Sequence, residues 1–249
     1  MILDKITPGI QRASELEIQN RETILGNMAN VPREELLLNL GLFVEPRMMS
    51  RILFLNHVYQ KILGIQGIVM DLGTRWGNSA VVMQTLRSIY EPYNFQRKVV
   101  AFDTFSGLSG CTEKDGELGN KDGYFSVHQD YQMHLENLML AHENLHPLDH
   151  MKKFEIVIGD VRKTVPDYIK QNPETLISLA FFDLDLYSPT LEVLKTIQPR
   201  LTKGSILIFD ELNYSSCPGE TLALLECFDL NQYKVERFPF CSRVSYIQL

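Results

Sequence analysis

Acidic residues recur at the ends of short apolar runs in this chain. Asp71 and Gly73 close Gly67–Leu72, and Asp103 closes Val99–Phe102. Gly159 and Asp160 follow Phe154–Ile158, Asp183 follows Leu176–Phe182, and Asp210 with Glu211 follows Ser205–Phe209. Runs of this length, β-branched or aromatic and bounded by Gly, Asp or Pro, predict strands. Where such strands are parallel, ligands bind beyond their carboxyl ends. The acids therefore converge on one cleft, at a cost unless cations or ligand hydroxyls offset their charge.

The first group is Asp71-Leu72-Gly73-Thr74-Arg75-Trp76-Gly77-Asn78-Ser79. Gly73 and Gly77 allow a tight turn and close approach of a ligand to backbone, and Asn78 or Ser79 can cap the next helix. The segment lacks the G-x-G-x-x-G spacing of dinucleotide sites. Asp71 can take an ammonium group, and the amides around Thr74 and Ser79 a carboxylate. Asp103 can accept the hydroxyls of a ribose, and Asp160 can reach an adenine amino group. An amino-acid end, a ribose and an adenine together describe S-adenosylmethionine. Mere turn chemistry for the glycine segment is the alternative.

The second group is Asp183-Leu184-Asp185-Leu186-Tyr187-Ser188-Pro189-Thr190 with Asp210-Glu211-Leu212-Asn213. Asp183 and Asp210 are separated by one strand–helix crossover. Their carboxylates, with Glu211 or Asn213, predict an oxygen-rich site, and such ligands select Mg²⁺, Mn²⁺ or Ca²⁺ over zinc. The competing assignment has Asp185 and Thr190 capping a helix while Asp183 and Asp210 bond backbone amides.

The elements that must position these groups follow from periodicity. Between the strands lie helical patterns at Ser79–Tyr90, Asp130–Leu145, Val165–Gln171, Thr190–Leu201 and Glu220–Leu230. Strand alternating with helix predicts a mostly parallel sheet with helices on both faces and right-handed crossovers. Lys234–Phe238 and Arg243–Gln248 predict an antiparallel hairpin at one edge. Residues 1–63, with helical spacing at Glu34–Leu42 and Arg47–Leu63, predict an amino-terminal helical cap. A lid bringing Arg47 or Arg51 near a ligand is the sharper alternative. Residues 64–249 form the main domain, and the insertion 104–151, holding Gly107, Gly110, Gly116, Gly119 and Gly123, is where substrate loops sit.

Composition narrows the function classes. The chain has 249 residues, 45% hydrophobic and 22% charged, and a formal net charge of −7, which disfavours a general nucleic-acid binder. Cys111, Cys217, Cys227 and Cys241 form no C-x-x-C pair and suit a reducing compartment. Neither a signal peptide at Met1–Pro8 nor a membrane span is visible, so a cytoplasmic enzyme without membrane or nucleic-acid partners is expected, and a homo-oligomer is compatible with it.

Taken together, Phe102–Leu108 (F-D-T-F-S-G-L), Asp183–Thr190 (D-L-D-L-Y-S-P-T), Pro199–Ser205 (P-R-L-T-K-G-S) and Phe209–Asn213 (F-D-E-L-N) resemble the macrocin-type O-methyltransferases. These are Rossmann-like, class I, S-adenosylmethionine-dependent enzymes that methylate sugar hydroxyls of macrolide and aminocoumarin antibiotics. The ending through Pro218-Gly219-Glu220 is similar to the branch acting on a calicheamicin-type sugar, and the resemblance runs from Asp71 to Glu220. It implies a magnesium-type cation on Asp183, Asp210 and Glu211, with Asp183 or Asp185 as the base. Asp210-Glu211 replaces the family's usual Asp-Asp. Leu186, Tyr187 and Ser188 stand where catechol-type relatives carry a lysine, which favours an aliphatic hydroxyl. The acceptor implied is a small hydroxylated molecule, a sugar or sugar-containing natural product or surface-polysaccharide precursor.

Several signals are weaker. His128, His134, His142, His146 and His150 crowd the insertion, and His142 with His146 has a spacing that can bind zinc on a helix. Trp76 can shield a cofactor, and Tyr124, Phe125 and Tyr131 can line a sugar site; core packing explains them equally. The acids also permit a magnesium-dependent phosphate-ester hydrolase, although no phosphate loop with Lys is visible. A fold that binds the cofactor without catalysis is the third alternative.

Overall fold

A computed structural model describes residues 14–116 and 121–249; Met1–Pro8 and Gly119 lie outside the described residues. The chain divides into two compact units, Met1–Leu53 and Phe54–Leu249. In the first, α1 (Glu15–Asn27) begins at Ser14, whose hydroxyl accepts from the Glu17 amide at 3.2 Å. Arg21 bridges Glu17 and Glu45. The expected Glu34–Leu42 helix is instead a 3-10 segment, Leu36–Phe43, interrupted at Asn39 (φ −112°, ψ 17°), since Asn39 and Gly41 both disfavour α-helix. The next helix, α2 (Pro46–Lys61), starts on a proline, which gives up no helical hydrogen bond there. The unit boundary falls within α2.

The second unit holds β1 (Ile68–Leu72), α3 (Asn78–Tyr90), β2 (Val99–Asp103), α4 (Tyr131–Asn144), β3 (Phe154–Ile158), α5 (Val161–Gln171) and β4 (Ile177–Phe182). It continues with α6 (Tyr187–Ile197), β5 (Leu201–Phe209), α7 (Gly219–Cys227), β6 (Glu236–Phe238) and β7 (Cys241–Gln248). The seven strands form one sheet in the order β3-β2-β1-β4-β5-β7-β6. The first five are parallel, and β7 runs antiparallel to both β5 and β6. The strand order reverses between β1 and β4, as it does where open α/β sheets bind ligands.

Two apolar layers hold this arrangement. Met70, Leu72, Phe102, Phe182 and Phe209 face one way, onto Val165, Leu194 and Leu224 of the helices. Val69, Ala101, Phe181 and Ile208 face the other, onto Phe54, Met83 and Met139. Alternate residues thus feed opposite cores, which is why the strands read as unbroken apolar runs. Burying side chains of this size contributes about 1.5–3 kcal/mol each, enough to fix the register that sets every strand end level.

Candidate functional site

The loop after β1 is built by close backbone approach. Its Gly73 and Thr74 amides donate to the Phe102 carbonyl at the end of β2. Gly73 has φ +89°, and a Cβ there would lie 2.0 Å from the Asp183 carbonyl oxygen, so glycine lets the β1 loop touch the β4 turn. Asp71 is fully buried; its Oδ2 accepts from Thr74 Oγ1 at 2.6 Å and Ser79 Oγ at 3.1 Å. The residue expected to face a ligand ammonium thus also ties the loop to α3. Neither Asn78 nor Ser79 caps that helix: Gly77, at φ +80°, holds the cap position.

Asp103 joins the first two strand ends. Its Oδ2 accepts from the Arg75 amide at 2.7 Å and its Oδ1 from the Phe105 amide at 2.6 Å. Burial nonetheless raises its pKa, against those amides and the Arg75 charge. Each carboxylate oxygen can accept a second bond, so ribose hydroxyls remain compatible with this position. Asp160 sits at the end of β3 but is engaged by its own helix. It caps α5 through the Arg162 amide at 3.0 Å and pairs with the Arg162 guanidinium at 2.6 Å.

At the other half, β4 and β5 pair Phe182 with Phe209, and the Asp210 amide donates to the Phe182 carbonyl. Asp183 and Asp210 are therefore neighbours by register, as the crossover spacing predicts. Asp185 adopts the left-handed conformation, φ +61°, which an aspartate tolerates better than most residues. Its pKa is pushed up to about 7, first by burial, then by the charges of Asp183 and Asp210, while Arg243 and Arg75 oppose the shift. The α6 cap position is Leu186, without a side-chain cap, so the assignment of Asp185 and Thr190 as capping residues does not hold.

The expected cation set does not fit the arrangement found. Arg243 places a guanidinium on the Glu211 carboxylate and 3.7 Å from Asp210 Oδ2. Among the described residues no group of three His, Cys, Asp or Glu side chains is arranged to hold a metal ion. That includes the histidines of the insertion: α4 ends at Asn144, so His146 falls beyond the helix carrying His142.

Two acids that sequence reasoning did not assign to the site organise it. Glu220, fully buried on the first turn of α7, accepts from the Leu184 amide at 3.1 Å and the Glu211 amide at 3.3 Å. Burial and the charges of Asp185, Asp183 and Asp210 push its pKa well up. Asp115, fully buried in the insertion, accepts from the Thr112 amide at 2.6 Å and from the first amide of α6, at Tyr187, at 2.5 Å. Gly219 lets these pieces meet, since a Cβ there would lie 2.6 Å from the Tyr187 nitrogen and 2.9 Å from Asp115 Oδ1. The string Pro218-Gly219-Glu220 was the available signal for Glu220; nothing local marks Asp115.

The insertion also gathers rings. Trp76 and Tyr131 meet edge to face at 4.7 Å, with His128 5.1 Å from Tyr131 and 5.5 Å from His134. Arg75 lies over the Phe125 ring at 4.9 Å. Trp76 is 44% exposed, so core packing does not account for it.

Comparison with known proteins adds the following. Residues 47–224 match the family model described as macrocin-O-methyltransferase (TylF). A crystal structure of CalS11, described as a calicheamicin methyltransferase, superposes with a TM-score of 0.90 at 35% identity, covering 97% of this chain and 98% of that one. An apo structure of CalS11, described as a TDP-rhamnose 3'-O-methyltransferase, gives 0.84 at 36% identity, covering 96% of each. An 8-demethyl-8-(2,3-dimethoxy-alpha-L-rhamnosyl)-tetracenomycin-C 4'-O-methyltransferase from Streptomyces olivaceus is 24% identical over 160 residues, 62% of this chain. The chain spans 56% of that curated relative's length.

Proposed function

The chain belongs to the macrocin O-methyltransferase family and has its Rossmann-like class I fold, and from that premise we propose that it methylates a sugar hydroxyl of a small molecule using S-adenosylmethionine. One observation carries the reading beyond the family: Gly73 packs against the Asp183 backbone. The loop suited to the cofactor and the turn suited to the acceptor therefore share a wall.

The cofactor fits the residues present, because the β1 loop exposes backbone at positive φ through Gly73, Arg75 and Gly77 beside Asp103. Asp71, Gly73, Thr74, Gly77, Ser79 and Asp103 would hold it, and Asp160 only where its pairing with Arg162 gives way. When bound, it supplies an electrophilic methyl group on a sulfonium. Asp185 would take the proton from the acceptor hydroxyl as that oxygen accepts the methyl group. Its pKa of about 7 keeps it basic at neutral pH yet a stronger base than an ordinary carboxylate. Asp183 stands beside it as the second candidate base. The shared wall would bring both reactants together, and orientation there would lower the barrier. A cation on Asp183, Asp210 and Glu211 would have to displace Arg243, so proton removal rests on the chain's own carboxylates.

A rhamnose or related deoxysugar, free or nucleotide-linked, is the acceptor class suggested by the names of the relatives. The four cysteines are free thiols, which accords with a cytoplasmic setting; no described helix is long and apolar enough to cross a membrane. Transfer of labelled methyl from S-adenosylmethionine to sugar nucleotides and glycosides tests the proposal. Calorimetry showing no affinity for S-adenosylmethionine or S-adenosylhomocysteine would end it, and binding without transfer to any acceptor would favour a non-catalytic module.

A further inference from the structure

Every parallel strand delivers its carboxyl end to the site, and here those ends are acidic. The antiparallel β7 delivers its amino-terminal end instead. It pairs Ser245 with Phe209, the last residue of β5, and Arg243 and Glu211 each lie two residues beyond that pair. The Arg243 guanidinium bonds the Glu211 carboxylate and lies 3.7 Å from Asp210 Oδ2. Those acids are 6% and 10% exposed, whereas Arg243, beside the Tyr214 ring, is 44% exposed and approaches from solvent. The Arg75 charge also acts on Asp183 and Asp185, so two guanidinium groups serve the acid cluster.

We propose that Arg243 is the resident counter-cation of Asp210 and Glu211, and that it keeps hard divalent ions off these acids. A guanidinium stays charged at any working pH and matches a carboxylate with a planar fork of donors. A magnesium-type ion must shed tightly held water and find near-octahedral oxygen ligands. At this position it must also break a charge-assisted contact and place two further positive charges beside Arg243 and Arg75. The sequence departure Asp210-Glu211 fits this role, because the longer glutamate reaches toward β7. The inference goes beyond the methyl-transfer reading and does not depend on knowing the acceptor.

Titration of the full chain with Mn²⁺, followed by the loss of the free-ion paramagnetic resonance signal, tests it without any turnover measurement. Arg243→Ala is expected to gain one Mn²⁺ site at least about tenfold tighter than anything in the unaltered chain, the lower scale for changes beside a metal site. Asp210→Asn added to Arg243→Ala should remove that site. Arg243→Lys keeps the charge and should bind as weakly as the unaltered chain. Arg243→Gln replaces the alanine variant if the latter does not fold. Equal Mn²⁺ affinity in the unaltered chain and in the charge-removing variants, whether tight or weak, would overturn the proposal.

Discussion

Asp185 and Asp183 are chemically identical in sequence and differ in the fold only through their surroundings. Asp185 is held at positive φ among other carboxylates, and burial and their charge raise its pKa to about 7. A base with that pKa is inactive when protonated, so kcat/KM should rise about tenfold per pH unit below 7 and level off above it. Asp185→Asn should lower turnover by about 10²-fold or more while S-adenosylmethionine affinity, read by calorimetry, stays within a few-fold. Loss of the pH-dependent limb in that variant is the confirming signature; an unchanged limb would assign the base to Asp183. The D-x-D pair is legible in the sequence. Which of its members is the better base is not, because that depends on Asp210 and Arg243, brought in by other strands.

At the scale of elements, the strands and the helices between them are readable because both sheet faces are covered and the runs are unbroken. Their margins are less so. The α5 helix begins at Val161 rather than Val165 because Asp160 caps it, a role masked by Pro166 at the sixth position of the helix. The strand β5 begins at Leu201 rather than Ser205, since Lys203 and Gly204 read as a turn. The long-range clamps escape altogether: Asp115 and Glu220 act on amides far away in the chain, and no periodicity encodes that. Asp115→Ala should strand the Thr112 and Tyr187 amides, costing about 1–3 kcal/mol, and should release the insertion from α6. Thermal denaturation and kinetics are expected to show a lower Tm and a raised acceptor KM, with cofactor affinity little changed; equal losses in both affinities would place Asp115 in the cofactor half. Gly73→Ala should be harsher, since strain at positive φ adds to a backbone clash. It should weaken S-adenosylmethionine binding and turnover together, and retention of either would separate the two loops.

For the whole molecule, the groups that serve the site and those that hold the fold pull stability in opposite directions with pH. Glu143 is fully buried between α4 and α3, bonded to Arg87 at 2.5 Å and to Lys153 at 2.7 Å, which hold its pKa below the usual value against burial. A depressed carboxylate stabilises the fold above its unfolded pKa and loses that contribution as pH falls through its folded value. Glu143→Ala should therefore cost about 3–5 kcal/mol, the scale for leaving buried charge unpaired, and calorimetric Tm reads the loss at neutral pH. Asp185 and Glu220 behave oppositely. Their folded pKa values are raised, so the folded chain binds protons more readily than the unfolded one. Their contribution is complete below the unfolded carboxylate range and falls away as pH rises, for Asp185 up to about 7. The fold should accordingly be most stable in weak acid, below the pH at which Asp185 becomes a competent base. Across about pH 5 to 7, Tm of the unaltered chain is expected to fall, and Asp185→Asn, which cannot ionise, should flatten that slope. If both proteins lose stability with the same slope, Asp185 titrates as an ordinary exposed carboxylate, and the clustered acids do not set its basicity.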